Sequence, residues 1–487
     1  MPKIRFDNFS GGLAKTPWKG TRGSFVALAG LDIHSTPGVV RVNQRLVKED
    51  TGGVVEDLIN FFLIGNKITS HLHGLSERGN IYRKQRGGAW EVVFRDPDYG
   101  TRQGNMRGAV EYKDYFFWTN GRGKIYRKNV GTVNNDPLDW RDVGIYQSID
   151  AVQDEFWIPM YVLDLKLWVG SKNNLYLIRW NATTNNFDFA RSLTFEDHLN
   201  CRSLGSISSD VIIGFETNSP SVLTEIKRWD TVATSWNVAD KYINEPSVNV
   251  FLPVENYLFF HGGYGGNIYL FDGFRSRKMF SIPGDFSIFD RFSIRPGAVA
   301  IWSGLTLFGF SQETFSAKTT VLQGIYSLGR RDKDFPLVLN LEYIVENGAR
   351  QPLLNNLMVG SIVPWRDTFY VSWKDIGSGE IGISYFDLNQ KCPHAFLETM
   401  VMELGGIEVK KIGINYADLP QGTGFRVKYK KNYESEWRDL GRLVNDAKMK
   451  QVYAVQSIPN VNTLQLRVEF IVSGNLSPSL RSIFVEV

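Results

Sequence analysis

The chain has 487 residues, of which 43% are hydrophobic, 22% charged and 13% aromatic, with 46 glycines and a formal net charge of +4. That hydrophobic fraction excludes disordered and collagen-like classes, and the near-balanced charge leaves no footprint for extensive nucleic-acid contact. Two cysteines cannot make a disulfide framework, and no run of ~18 apolar residues is available to span a membrane as a helix.

Residues 1–50 show no repeat. Phe6-Asp7-Asn8-Phe9-Ser10-Gly11-Gly12-Leu13 reads as an extended arm without the apolar stretch of a secretory signal. Ala27 to Ile33 and Val39-Val40-Arg41 read as one or two strands that complete or cap the repeated strands beyond residue 50.

From residue 51 to 402 three elements recur in one order. The first is an apolar hairpin strand, often ending in a small or polar residue. Its copies are Phe61-Phe62-Leu63-Ile64, Tyr115-Phe116-Phe117-Trp118, Leu167-Trp168-Val169-Gly170, Val211-Ile212-Ile213-Gly214, Leu258-Phe259-Phe260-His261, Leu305-Thr306-Leu307-Phe308 and Phe369-Tyr370-Val371-Ser372. Their spacing is roughly 45–60 residues, the scale of a four-stranded propeller blade.

The second element is an aliphatic-tyrosine strand after a short turn: Ile81-Tyr82, Ile125-Tyr126, Leu175-Tyr176, Ile268-Tyr269, Ile325-Tyr326 and Ser384-Tyr385, with Thr224-Glu225-Ile226 in the fourth copy. The third is an aromatic that opens an outer strand: Trp90, Trp140, Phe187, Trp236, Phe280, Phe335 or Phe396. A sheet apolar on both faces cannot bury itself alone, whereas radial stacking of such sheets buries both faces and leaves short edges. Large aromatics suit the wedge between blades. The two weak helix candidates, Ile149 to Trp157 and Phe195 to Cys201, lack a 3.6-residue apolar stripe.

Residues 403–487 read differently. Phe425-Arg426-Val427-Lys428-Tyr429, Leu464-Gln465-Leu466-Arg467-Val468 and Ser482-Ile483-Phe484-Val485 alternate apolar and polar, the pattern of strands with one buried face. The predicted fold is therefore all-β: a β-propeller of about seven four-stranded blades, then a C-terminal antiparallel β-sandwich.

The repeats leave little room for chemistry. Asp114, Asp164, Asp210, Glu255 and Asp367 each precede or enter an apolar strand. Two of them near the axis would suit glycoside hydrolysis, but turn formation explains the residue type. His71-Leu72-His73 has the i, i+2 spacing that puts two imidazoles on one face of a strand, without a third ligand. Gly262-Gly263-Tyr264-Gly265-Gly266 lies between two strands with no helix after it, so it reads as a hairpin loop rather than a phosphate cradle. We expect no catalytic residue, no cofactor and no metal site. Trp302, Trp365 and Trp373 are the candidates for stacking on a glycan from the propeller loops.

The opening Asn8-Phe9-Ser10-Gly11-Gly12, followed by Leu31-Asp32 and Pro37-Gly38-Val39-Val40-Arg41, resembles the start of tailed-bacteriophage virion proteins in which a short arm precedes a β-propeller. The closing Leu464-Gln465-Leu466-Arg467-Val468 and Ser477-Pro478-Ser479-Leu480-Arg481-Ser482-Ile483 is similar to the last strands of tail-protein β-sandwiches. The general plan also looks like that of the larger tail nozzle proteins of short-tailed phages. The resemblance implies a structural component of a phage tail or adsorption apparatus, present in several copies and not an enzyme. It implies copies of itself and neighbouring tail proteins as partners, synthesis in the host cytoplasm and final residence in the virion. A carbohydrate-binding host-adsorption module is the alternative, and a propeller glycoside hydrolase a third.

Overall fold

Apolar strands separated by glycine, asparagine and aspartate turns dictate consecutive antiparallel hairpins. In the computed structural model seven antiparallel hairpin units follow one another between Leu58 and Lys391, six of four consecutive strands and the last of three. It describes residues 3–487 apart from 15–17, 19–22, 37, 53, 55, 65–69, 86–87, 98–107, 121–122, 131–139, 141–142, 150–156, 220–222, 287–290, 315–319, 331–332, 334–335, 446–451 and 455–456. Phe335 and most of the candidate helix at Ile149 to Trp157 thus lie outside the described residues. The other helix candidate is a turn at Asp197-His198 that leads into the strand Leu199–Ile207.

The innermost strands of successive sheets are Leu58–Ile64, Ala109–Tyr112, Met160–Leu163, Leu199–Ile207, Val248–Val254, Phe292–Trp302 and Leu357–Trp365. Each touches the next, and the last touches the first, so the sheets form a seven-bladed ring. Backbones approach closely at the axis. A Cβ on Gly360 would lie 2.1 Å from the Leu58 carbonyl oxygen, and one on Gly297 would lie 2.3 Å from that of Ile59. Serines join the blades at this level. Ser372 Oγ donates to the Leu58 carbonyl at 2.5 Å, Ser361 Oγ to Gly297 at 2.8 Å and Ser203 Oγ to Val248 at 2.9 Å.

Trp118, Trp168, Trp373, Tyr82 and Tyr326 are fully buried between blades, which accounts for much of the aromatic excess. The tyrosine element is the third strand of each blade, as in Ile81–Lys84 and Gly324–Gly329. Two repeat assignments need correction. Phe61-Phe62-Leu63-Ile64 is the inner strand of blade one, not the counterpart of Tyr115–Thr119; that counterpart is His71–Ser76. Two histidines and Gly74 dilute its apolar signal, so the neighbouring strand outshines it. Phe396 opens a strand of the sandwich, not the outer strand of blade seven.

The outer strand of blade seven comes from the N-terminal region. Gln44–Lys48 pairs antiparallel with Ile381–Lys391, with Val47 opposite Tyr385 and Leu46 opposite Phe386. The ring is thereby closed by backbone hydrogen bonds between its two ends.

The outer strand of blade six, Val338–Tyr343, continues sideways into the C-terminal region. Leu341 pairs in parallel with Ala29 of Phe25–Ala29, which pairs with Phe396–Thr399, then Ile458–Ile471, Gly424–Lys431 and Arg438–Val444. A second sheet, built on Lys411–Asp418 and Ser479–Glu486, faces this one. Phe425, Val427, Leu466, Val468, Ile412 and Ile483 share the core between them, which makes a β-sandwich. Lys3–Phe6 of the arm pairs with Ser479–Glu486 of the same chain. Phe9 is buried and stacks on Phe25 with ring centres 5.2 Å apart. Gly12 has φ +60°, and a Cβ there would lie 2.8 Å from the Leu339 carbonyl oxygen. The Phe-Ser-Gly-Gly segment therefore locks the N-terminus onto blade six and the sandwich.

Candidate functional site

In each blade the chain alternates direction, so the turns after the first and third strands emerge on one face of the ring. The turns after the inner strands are tight. Asp164, Leu165, Ser208, Glu255, Ser303 and Arg366 all have φ near +50° to +60°. This left-handed conformation matches the twist of the flanking strands. The turns after third strands in blades four and five are fixed by aspartates. Asp230 Oδ1 accepts from the amides of Val232 and Ala233 at 2.9 and 2.8 Å. Asp272 Oδ1 does the same for Phe274 and Arg275 at 2.9 and 2.8 Å. These backbone donors hold both carboxyls below the usual aspartate range.

This hairpin face carries large apolar side chains in water. Val232 is 86% exposed, Leu165 73%, Phe274 68% and Ile301 60%, and Tyr257 projects beside them. They sit on turns or on the strand ends beside them, anchored by buried sheets, so they form a rigid display. Ion pairs brace it: Arg228 Nε donates to Asp210 Oδ2 at 2.5 Å, and Arg330 Nε donates to Glu255 Oε1 at 2.7 Å. None of these tips is among the residues singled out from the sequence, because Leu165, Val232 and Phe274 lie in turns and Ile301 and Tyr257 at strand ends beside turns. Asp164-Leu165 and Asp272-Gly273-Phe274 carry the signal, an apolar residue where a turn normally places a polar one.

The five carboxylates singled out from the sequence lie at or beside these hairpins: Asp114, Asp164, Glu255 and Asp367 in exposed turns, Asp210 at the start of its strand. The axial cavity of about 240 Å³ is lined by Gly108, Pro159, Met160, Pro296, Gly297 and Val299 among others, and none of its described lining residues is a carboxylate. Among the described residues no three His, Cys, Asp or Glu side chains cluster to hold a metal.

The tryptophan candidates separate. Trp373 is buried and donates from Nε1 to Ser384 Oγ at 2.9 Å, so it is core and cannot stack on a sugar. Its place in the wedge between blades, facing Gly382, decided this. Trp302 packs partly buried against Phe369 and Phe386, with ring centres 5.5 and 6.0 Å away. Trp365 donates to Ser70 Oγ at 3.1 Å, with the Arg366 guanidinium 4.5 Å from its ring. The structure does not bring the three together on one open platform.

Two histidines are buried in the blades. His73 is buried, stacked on Phe62 at 5.3 Å, and its Nδ1 lies 3.0 Å from the His71 carbonyl oxygen. Burial pushes its pKa down to about 3. His261, held between Asn249 Nδ2 at 2.9 Å and the Gly265 carbonyl oxygen at 2.6 Å, is pushed down to about 4 by the same cause. The glycine-rich segment around Gly265 is the turn of a hairpin between Tyr257–Gly262 and Asn267–Phe271. Cys392 is buried, and burial pushes its thiol up to about 12.

No protein-family model matches the sequence, and no curated protein matches it. Among solved structures, the computationally designed Ika8 protein is 12% identical with a TM-score of 0.40, over 77% of this chain and all of Ika8. YCF48 bound to D1 peptide is 9% identical with a TM-score of 0.44, over 74% of this chain and 99% of that one. An exo-β-1,3-galactanase from Phanerochaete chrysosporium, solved with galactose, is 9% identical with a TM-score of 0.31, over 92% of this chain and all of that one. Likeness at this level carries no argument about activity. The propeller assignment rests on the strand pairing itself.

Proposed function

We propose that the protein is a structural component of a phage tail or tail-associated complex, acting through protein–protein interfaces in a multi-copy assembly. The observation that carries this reading is the row of exposed apolar tips, Leu165, Val232, Phe274 and Ile301, on one face of a stiff wheel. Scattered surface apolars are ordinary, but several on one rigid face mark a contact surface. A stable contact needs about 800 Å² per partner, which a propeller face can supply. The Phe9-Ser10-Gly11-Gly12 lock supports the resemblance to virion proteins, because the residues that carry it have a defined structural task. In this reading the chain is not an enzyme, is made in the host cytoplasm and ends in the virion. Its partners are copies of itself and neighbouring tail proteins.

Electron microscopy of phage particles from the genome that encodes this chain, labelled with antibody against it, tests the reading. Label on tails is the expected result. Unlabelled tails, with all of the protein soluble and monomeric in the lysate, overturn it. A carbohydrate-binding adsorption role is the second reading, and the observation that favours it is a groove beneath blade six.

A further inference from the structure

The sheet that joins blade six to the sandwich has one face in the sandwich core and one polar face turned outward. Where that polar face parts from the underside of blade six, a groove of about 660 Å³ opens. Clefts between packed units are common places for ligand sites. The floor is a cross-strand ladder with Glu398 opposite Arg467 and Gln465 opposite Lys430. Arg467 Nη1 donates to Glu398 Oε1 at 3.2 Å, and its guanidinium lies 3.8 Å from the centre of the Phe396 ring. Arg467 Nε also lies 3.3 Å from Glu469 Oε1, without a hydrogen bond, so the base of the groove is polar and charge-paired.

The rim is different. Two indoles, Trp18 and Trp437, line the groove, and Trp18 is 45% exposed. Lys430 Nζ lies 4.7 Å from the centre of the Trp437 ring. Among the described residues Lys430 has no ion-pair partner, and neither does Arg442, which lines an adjoining groove of about 410 Å³ that shares Phe396 and Arg467. Gln465 donates its amide nitrogen to the Thr399 carbonyl oxygen at 3.2 Å, which leaves its side-chain oxygen as an acceptor.

An apolar ligand would bury the Lys430 ammonium and the Gln465 oxygen without partners, at a desolvation cost. A bare phosphate would use the cations and waste both indoles. A sugar acid uses the indoles, Gln465 and Lys430, while Leu322, Leu341, Leu354 and the Asp285 carboxylate complete the lining. The C–H face of a pyranose packs on an aromatic face, its hydroxyls meet Gln465 and the ladder, and its carboxylate meets Lys430 in a charge-assisted bond, with Arg442 of the adjoining groove left for the carboxylate of a sugar unit further along the chain. We propose that this groove binds an acidic oligosaccharide, a linear chain of uronic-acid pyranoses. The inference does not rest on a tail location, because binding is read on purified protein and location on particles.

Isothermal titration of the purified full-length chain tests it, with hexamers of galacturonic, mannuronic and guluronic acid as probes and maltohexaose as the neutral counterpart. At least one acidic hexamer is expected to bind, and more tightly than maltohexaose. Trp437→Ala should weaken that binding about tenfold, and Lys430→Gln should remove most of the preference over maltohexaose, with both variants melting like the parent. No heat from any acidic hexamer at millimolar concentration, equal binding of maltohexaose, or binding untouched by both substitutions overturns the proposal.

Discussion

Arg45 and Glu346 meet where the ring closes. Arg45 Nε lies 3.0 Å from one carboxylate oxygen of Glu346 and 3.1 Å from the other, and Glu346 is almost wholly buried. Arg45 belongs to the closing strand Gln44–Lys48, whereas Glu346 follows the outer strand of blade six. One side-chain pair thus fixes the N-terminal strand to the far end of the propeller.

Removing one member of such a pair leaves a buried charge alone. Arg45→Ala should destabilise the protein by about 3–5 kcal/mol, and urea denaturation followed by tryptophan fluorescence measures it. The double variant Arg45→Met with Glu346→Leu should recover much of the loss, because it removes the stranded charge as well. Equal stability of Arg45→Ala and parent would show that backbone pairing alone closes the ring.

The axis tolerates no added carbon at Gly360, since a Cβ there would press on the Leu58 carbonyl oxygen at 2.1 Å. Gly360→Ala should cost at least ~2 kcal/mol through forced separation of blades one and seven. Gly379, at an exposed turn with nothing within 4 Å of its would-be Cβ, is the comparison; its φ of +77° makes the change cost about 1 kcal/mol or more through backbone strain alone. Thermal melts of both variants should rank them in that order.

Trp373 is core and Trp365 is only partly buried. Trp373→Ala should cost about 3–5 kcal/mol by opening a cavity between blades six and seven. Trp365→Ala should cost clearly less. Denaturant midpoints at matched slopes check the ranking.

Acid should weaken the fold through its buried histidines. His73 and His261 have folded pKa values of about 3 and about 4, below the ordinary 6.5, so the unfolded chain binds more protons and stability falls as pH drops below 6.5. Asp57 runs the other way. Burial raises it to about 6 despite Arg295 3.6 Å away, so it adds stability as pH falls through 6 towards 3.8. These three groups together contribute a net loss of about 1.4 kcal/mol per pH unit between pH 6 and 4.5. His73→Phe, which keeps the stack on Phe62, should reduce the slope of that profile by about 1.4 kcal/mol per pH unit. Urea titrations at each pH give the answer, and an unchanged slope in the variant counts against the assignment.

The hairpin face makes a prediction that separates contact from folding. Leu165→Asp and Phe274→Asp change exposed tips, so melting temperature should stay close to the parent. Incorporation into particles, measured by mass spectrometry of purified virions after complementation, should fall several-fold. Normal incorporation of the double variant would remove this face as the contact surface.

By itself the sequence determined the second and third strands of most blades and the alternating strands of the sandwich. Apolar strands such as Val211–Gly214 and Phe369–Ser372, the tyrosine strands and the turn residues between them fix antiparallel hairpins, because period-two patterning and turn chemistry are local. The need to bury both sheet faces then implies a wheel. The alternation in Phe425–Tyr429 and Leu464–Val468 likewise defines the sandwich face by face. Tertiary structure alone decided what depends on distant partners. Strand Gln44–Lys48 has no local mark that assigns it to blade seven; its place is set by pairing with Ile381–Lys391. Trp373 and Trp302 look alike in sequence, yet only the wedge between blades determines which is sealed. The groove under blade six joins Trp18, Phe396, Lys430 and Trp437 from segments far apart in the chain, so no motif spells it. Local patterning is a property of neighbours along the chain, whereas burial and site geometry are sums over neighbours in space.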